Sequence, residues 1–316
     1  MKKKIVISEF MDAPAVAALS ERHEVIYDPE LVSQRERLKA LVANAEVLIV
    51  RNLTQVNEDL LAACAKLRFV GRLGVGLDNI DLQACKGRGI KVQPATGANS
   101  AAVAEYVITS ALVLLRGAYA SVAEVAGGAW PRARLSQGRE VAGKTLGLVG
   151  FGSIGREVAS RARALGMKVA AFDPVIDAGA ALWRESGVRP LALEELLAES
   201  DAVSLHIPLT DGTRNLLDAK RLAGMKRGAV VVNTARGGVL DEAALAAAIM
   251  SGHLGGAAID VFEKEPLGKD SAWAACVESG ANVILTPHIA GVTQESNERV
   301  SSLIAQETLR FLGDVQ

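Results

Sequence analysis

Thr145-Leu146-Gly147-Leu148-Val149-Gly150-Phe151-Gly152-Ser153-Ile154-Gly155 is the stretch on which the fold turns. An apolar run of strand length enters a G-x-G-x-x-G loop, and a helical pattern (153–165) opens directly behind it. In a chain with 30 glycines such a pattern arises by chance; between a strand and a helix it has a mechanism. Gly150 allows the tight turn, Gly152 lets the backbone approach a pyrophosphate, and Gly155 lets the helix pack close to the sheet. The free N–H groups of Ser153 and Ile154, at the positive end of that helix, then face the phosphates.

The next apolar run, 168–172, closes on Asp173. A carboxylate there hydrogen-bonds the adenosine ribose hydroxyls and repels the extra phosphate of NADP, so NAD is the expected cofactor. Arg156 and Lys168 are nearby cations that weigh the other way. Further strands are expected at 202–205, 229–233, 256–260 and 282–285, with helices at 193–199, 219–225 and 241–251. Six strands with short helical crossovers make a doubly wound parallel sheet.

The first hundred residues repeat the alternation, with strands at 4–8, 46–50, 69–71 and 90–92 and a helix at 33–43. From Ser100 to about Glu124 the pattern predicts one long, mostly buried helix that joins two domains. Residues 127–143 read as loop, and 295–312 as a final amphipathic helix. The fold class is therefore α/β in two domains.

Composition narrows the function. Half of the 316 residues are hydrophobic and 22% are charged, which is globular rather than disordered. Thirty-five Lys and Arg against 36 Asp and Glu give a net charge of −1, without the basic excess of a nucleic-acid binder. The longest apolar stretch, around Val107–Leu115, is far short of a membrane span, and the N-terminus lacks the apolar run of a signal peptide. Three cysteines (Cys64, Cys85, Cys276) make neither a disulfide framework nor a metal-ligand spacing, so the expectation is free thiols in a reducing cytoplasm and no metal.

Three residues after expected strands of the second domain could together move a hydride's worth of chemistry on a hydroxy acid. His288, in Thr286-Pro287-His288-Ile289-Ala290-Gly291, suits acid–base work on a hydroxyl near neutral pH. Arg236, in Asn233-Thr234-Ala235-Arg236-Gly237-Gly238, offers a fork for a carboxylate and a carbonyl. Glu265, in Asp260-Val261-Phe262-Glu263-Lys264-Glu265-Pro266, supplies the carboxylate that favours a protonated histidine. Singly, each has a bland structural reading: a surface charge, a turn, a helix cap.

In this order behind a G-x-G-x-x-G, these runs resemble the D-isomer-specific 2-hydroxyacid dehydrogenases over nearly the whole chain. The resemblance implies a Rossmann NAD domain (99–286) inserted into a smaller flavodoxin-like substrate domain (1–98 and 287–316), with the active site in the cleft. It implies Arg236, Glu265 and His288 as the catalytic triad. It also implies that His206, Pro208 and Thr213 line the adenine and ribose, that Thr234, Ala235, Asp260 and Gly291 face the nicotinamide end, and that Val103 lines the cofactor cleft. Gly74, Val75 and Gly76 would hold the substrate carboxylate through backbone N–H groups, and Arg51 and Asn52 would read its distal part. The long helix would sit in a homodimer interface.

The substrate stays open. The phosphoglycerate branch carries a serine where Asn52 stands. Arg51, Arg72, and Arg132 and Arg134 of a Trp-Pro-Arg-Ala-Arg loop are similar to members that act on sulfolactate. Sulfolactate, 3-phosphoglycerate and glyoxylate or hydroxypyruvate chemistry are all compatible, as is a corepressor-like module that only senses NAD.

Overall fold

Apolar runs of four residues, buried on both faces, form the centre of two parallel sheets, as parallel strands covered by helices on each side require. The computed structural model describes residues 2–314; Met1, Val315 and Gln316, which the outer domain was expected to include, lie outside the described residues. The chain divides into one unit of residues 1–99 and 292–316 and a second of residues 100–291. The second boundary lies beyond Thr286 because the 288–290 segment hydrogen-bonds back to Asp260.

The first unit carries β1 (Lys4–Ile7), β2 (Glu24–Tyr27), β3 (Val47–Val50), β4 (Phe69–Arg72) and β5 (Lys91–Pro94), in the order β2-β1-β3-β4-β5. That is the flavodoxin-like order. Its last helix, Gln294–Leu312, is capped by the Thr293 hydroxyl and closed by Gly313 at φ 84°. It packs Val300, Ile304 and Ala305 into the core around Phe69 and Ile49.

The second unit carries β6 (Thr145–Val149), β7 (Lys168–Phe172), β8 (Arg189–Pro190), β9 (Ala202–Leu205), β10 (Val230–Asn233), β11 (Gly256–Ile259) and β12 (Val283–Leu285). The order β12-β11-β10-β9-β6-β7-β8 is a Rossmann sheet extended by one strand, and it reverses between β6 and β9. The register lines up the strand ends: Phe172, Val149, Leu205, Asn233, Ile259 and Leu285 stand level. The next residue on each strand is Asp173, Gly150, His206, Thr234, Asp260 and Thr286.

The structure adds elements that the sequence pattern did not give, among them the helices Ala13–Ser20, Glu58–Ala62, Leu82–Gly87, Ala181–Ser186 and Ala272–Glu278. The sheet has a seventh strand, β8, and the first unit a further strand, β2; both are short edge strands with exposed residues at their ends. The long helix ends at Arg116, where Gly117 takes φ 63°, and a short turn and the helix Val122–Ala126 follow. One helical turn, Arg132–Leu135, lies in the stretch read as loop. Among the described residues no single helix is long and apolar enough to cross a membrane.

Candidate active site

Three loops at the carboxyl ends of β10, β11 and β12 bring Arg236, Glu265 and His288 into one neighbourhood. Oε2 of Glu265 lies 2.9 Å from Nδ1 of His288. Oε1 of Glu265 accepts from the Phe262 N–H, which fixes the carboxylate. An ionised carboxylate only accepts, so Nδ1 carries the hydrogen and a neutral His288 presents a lone pair on Nε2. Both side chains are about two-fifths exposed, open to a substrate.

His288 sits at φ 58°, a conformation held by its surroundings. Its N–H donates to the Asp260 carbonyl. The carboxylate of Asp260, 1% exposed, accepts from the Ile289 N–H and the Thr286 hydroxyl on Oδ1 and from the Ala290 N–H on Oδ2. Tyr106 of the helix Ser100–Arg116 lies 2.6 Å from the same Thr286 hydroxyl. Asp260, expected to face the nicotinamide, thus spends its oxygens on the loop that presents His288.

Arg236 is held by its own turn. Asn233 accepts from the Ala235 N–H and donates to the Arg236 carbonyl, and Nη1 of Arg236 donates to the Ala235 carbonyl. Gly237 is pressed on the β11 loop: a Cβ there would fall 1.9 Å from the Phe262 carbonyl oxygen. Only glycine lets the Arg236 loop lie directly against the loop that carries Glu265.

At the switch in strand order, Gly150 takes φ 98°, where a side chain would also strike the His206 carbonyl, 2.5 Å away. A Cβ on Gly155 would meet the Gly150 carbonyl at 2.4 Å, so the helix Ser153–Ala164 seats on the turn itself. A Cβ on Gly152, by contrast, would meet nothing within 4 Å. Ser153 and Ile154 are half-buried in the first turn. Asp173 accepts from the Phe151 N–H at 2.8 Å and from the Val175 N–H at 3.0 Å, tying the glycine loop to the end of β7.

Other expected cofactor positions divide. Thr234 has a buried Oγ1 with no hydrogen-bond partner among the described residues, and the Nε2 of His206 is in the same state. His206 is half-buried as a residue, and burial of its ring pushes its pKa down to about 3. Ala235 is buried, Gly291 half-buried and Pro208 exposed. Thr213 uses its hydroxyl within its own loop, on the Pro208 carbonyl and the Thr210 N–H. Val103 is 4% exposed and packs into the core of its unit with Val107 and Val158. Among the described residues no group of His, Cys, Asp or Glu is arranged to hold a metal ion.

In the first unit the candidate substrate loops follow β3 and β4. Arg51 is half-buried and Asn52 exposed. Gly74 is buried where the Arg72 guanidinium crosses it, and Val75 and Gly76 are half-buried.

The pattern described as "D-isomer specific 2-hydroxyacid dehydrogenase, NAD binding domain" matches residues 108–290. The chain belongs to this family. Similar proteins include an (S)-sulfolactate dehydrogenase of Chromohalobacter salexigens, 53% identical over 98% of both chains, and a hydroxypyruvate reductase of Thermotoga maritima, 38% identical over 98% of both. Among solved structures, a D-lactate dehydrogenase from Aquifex aeolicus, complexed with NAD and lactic acid, superposes with a TM-score of 0.83 at 31% identity, over 98% of this chain and 96% of that one. The protein is thus an NAD-dependent 2-hydroxyacid dehydrogenase.

The residues present fit NAD. The dehydrogenase leaves open space above Gly152, starts a twelve-residue helix there with no side-chain cap on its N–H groups, and ends β7 on a carboxylate. The sequence reading missed the residues that hold these loops. Glu242 accepts from the Glu263 N–H and the Trp273 indole, and so braces the β11 loop. Glu9, 5% exposed, accepts from the N–H groups of Arg51, Leu53 and Thr54. Tyr106 and Asn297 are the others. Each is a single polar residue that acts across a sequence separation, and no local pattern marks it.

Proposed function

We propose that this dehydrogenase interconverts a 2-hydroxy acid bearing a second anionic group, of the sulfolactate type, and its 2-keto acid. The observation that carries the catalytic assignment is the Glu265–His288 pair, with Nε2 left as the basic nitrogen. The substrate assignment is supported by the full-length similarity to a sulfolactate dehydrogenase and by Arg51, a second cation near a substrate loop.

Bound NAD supplies the hydride acceptor, and NADH returns the hydride in the reverse direction. In oxidation His288 takes the hydroxyl proton on Nε2 as the carbonyl forms; in reduction the protonated ring gives it back. Glu265 stabilises the imidazolium and fixes the ring. Arg236 binds the substrate carboxylate and polarises the carbonyl, a task for a planar fork of donors. The backbone N–H groups of Val75 and Gly76 bind the same carboxylate, and Arg51 binds the distal anion, with Asn52 beside it. Gly150, Gly152, Ser153, Ile154 and Gly155 hold the pyrophosphate, and Asp173 the ribose. His206, Pro208, Thr213, Thr234, Ala235, Asp260, Gly291 and Val103 shape the remainder of the cofactor site. In this reading the first unit is the substrate domain and the second the NAD domain.

The dehydrogenase works as a homodimer in the reducing cytoplasm. Tyr119, Val122 and Val125, on the short helices after Gly117, and Trp130, in the loop that follows them, are exposed, an apolar stretch suited to a second copy. The three cysteines are free, and burial pushes the Cys64 thiol up to about 11, which makes it inert.

The test is a panel of sulfopyruvate, phosphohydroxypyruvate, hydroxypyruvate and glyoxylate with NADH. Sulfopyruvate is expected to give the highest kcat/KM. A higher value for an acid without a second anion overturns the substrate assignment. Absence of turnover on every keto acid overturns the catalytic one.

A further inference from the structure

Arg51 is a half-buried arginine whose guanidinium makes no ion pair with a carboxylate among the described residues. Its backbone leaves β3 on a loop locked from both sides. Glu9 takes the three N–H groups of Arg51, Leu53 and Thr54, and the Asn79 amide donates to the carbonyls of Arg51 and Thr54. Glu9 is thereby committed to the backbone. Burial lowers the affinity of the guanidinium for its proton, and Glu9 offsets this only through space.

Among the described residues the guanidinium has one hydrogen-bond acceptor, Oδ1 of Asn297, 2.9 Å from Nη2. The Phe10 ring flanks it with its centre 5.9 Å away. Nε and Nη1 have no hydrogen-bond acceptor among the described residues. Desolvated charges are ordinarily paired, so a half-buried arginine with no ion-pair partner among the described residues is a receptor for an anion that comes with the ligand.

We infer that Asn297 is a specificity-determining residue: its neutral oxygen orients the Arg51 guanidinium without pairing its charge, which is left to the second anionic group of the substrate. The inference rests on the role given to Arg51 above. An aspartate at position 297 would have nearly the same shape and would hold the guanidinium as well or better. It would also neutralise it, and would repel an incoming sulfonate or phosphonate. Asn297 lies in the first turn of the helix Gln294–Leu312, where an acidic side chain suits the helix dipole, so the exchange is compatible with folding.

The experiment measures kcat/KM of the full-length enzyme for sulfopyruvate and for glyoxylate in wild type, Asn297→Asp and Asn297→Ala. The readout is the ratio of the two constants, which a partial loss of folded enzyme does not change. Asn297→Asp is expected to lower the ratio roughly tenfold to a hundredfold, through KM for sulfopyruvate. Asn297→Ala, which loosens the arginine without neutralising it, is expected to lower it by a smaller factor. A merely structural role would depress both substrates alike, and an unchanged ratio in Asn297→Asp overturns the inference. If wild type itself shows no preference for sulfopyruvate, the substrate assignment falls and this inference falls with it.

Discussion

Gly237 and Phe262 are packed so closely that the space for a single β-carbon is already filled by the Phe262 carbonyl, 1.9 Å from where it would stand. This contact sets the Arg236 loop against the loop of Glu265. Gly237→Ala must push the two apart. The expected result is a fall in kcat of about a hundredfold, the scale on which misplacement of a catalytic group acts, with a stability loss of about 1–3 kcal/mol. Steady-state kinetics with a urea melt of the same sample checks both. Normal kcat in a folded variant would detach the Gly237 contact from catalysis.

Glu265→Gln retains the shape of the side chain and removes its charge. The protonated form of His288, needed to reduce a keto acid, loses its neighbour. The kcat of the variant for keto-acid reduction is expected to fall by about 10²–10⁴. His288→Ala should be at least as severe, with NAD binding by titration nearly unaltered. A kcat for Glu265→Gln equal to that of wild type would remove Glu265 from its role.

Asp173→Ala removes both the carboxylate at the end of β7 and the acceptor for the Phe151 N–H. Weaker NAD binding and a narrower gap between NAD and NADP are expected, each by about tenfold, the scale of one charge-assisted hydrogen bond. Dissociation constants for both dinucleotides decide it: an unchanged ratio means Asp173 supports the loop only.

The sealed Nε2 of His206 makes a prediction for acid. Burial depresses the pKa of this ring to about 3, so between an ordinary 6.5 and 3 the unfolded chain binds a proton that the folded one refuses. Stability contributed by the neutral ring is therefore complete above pH 6.5 and declines as pH falls through that window. From pH 7 to pH 5, wild type is expected to lose about 1–2 kcal/mol more than His206→Gln in urea unfolding. Equal losses would show that the histidine is free to titrate in the native state.

Much of this architecture was legible because parallel strands buried on both faces must be apolar, and because a turn that touches a ligand or another backbone must use glycine. The runs at Thr145–Val149 and Val230–Asn233 announce themselves for the first reason, Gly150 and Gly155 for the second. β8 is two residues at a sheet edge, one of them a proline, and carries no such signal. The end of the long helix at Arg116 was hidden because the residues after Gly117 are as helix-prone as those before it. Residues that hold the loops were silent for a different reason. Glu9 meets Arg51 across 42 positions and Arg51 meets Asn297 across 246, distances that only the folded topology closes.

The buried carboxylate of Asp260 has a consequence for how the dehydrogenase comes apart. Its clasp on Ile289 and Ala290, continued through Thr286 to Tyr106 of the helix Ser100–Arg116, anchors an exposed catalytic loop to a buried strand end and a largely buried helix. Loops ordinarily open locally, at little cost, well before the domain unfolds. Here the amide hydrogens of Ile289 and Ala290 should exchange with solvent only as slowly as those of the central strands, so the histidine loses its alignment when the domain melts and not before.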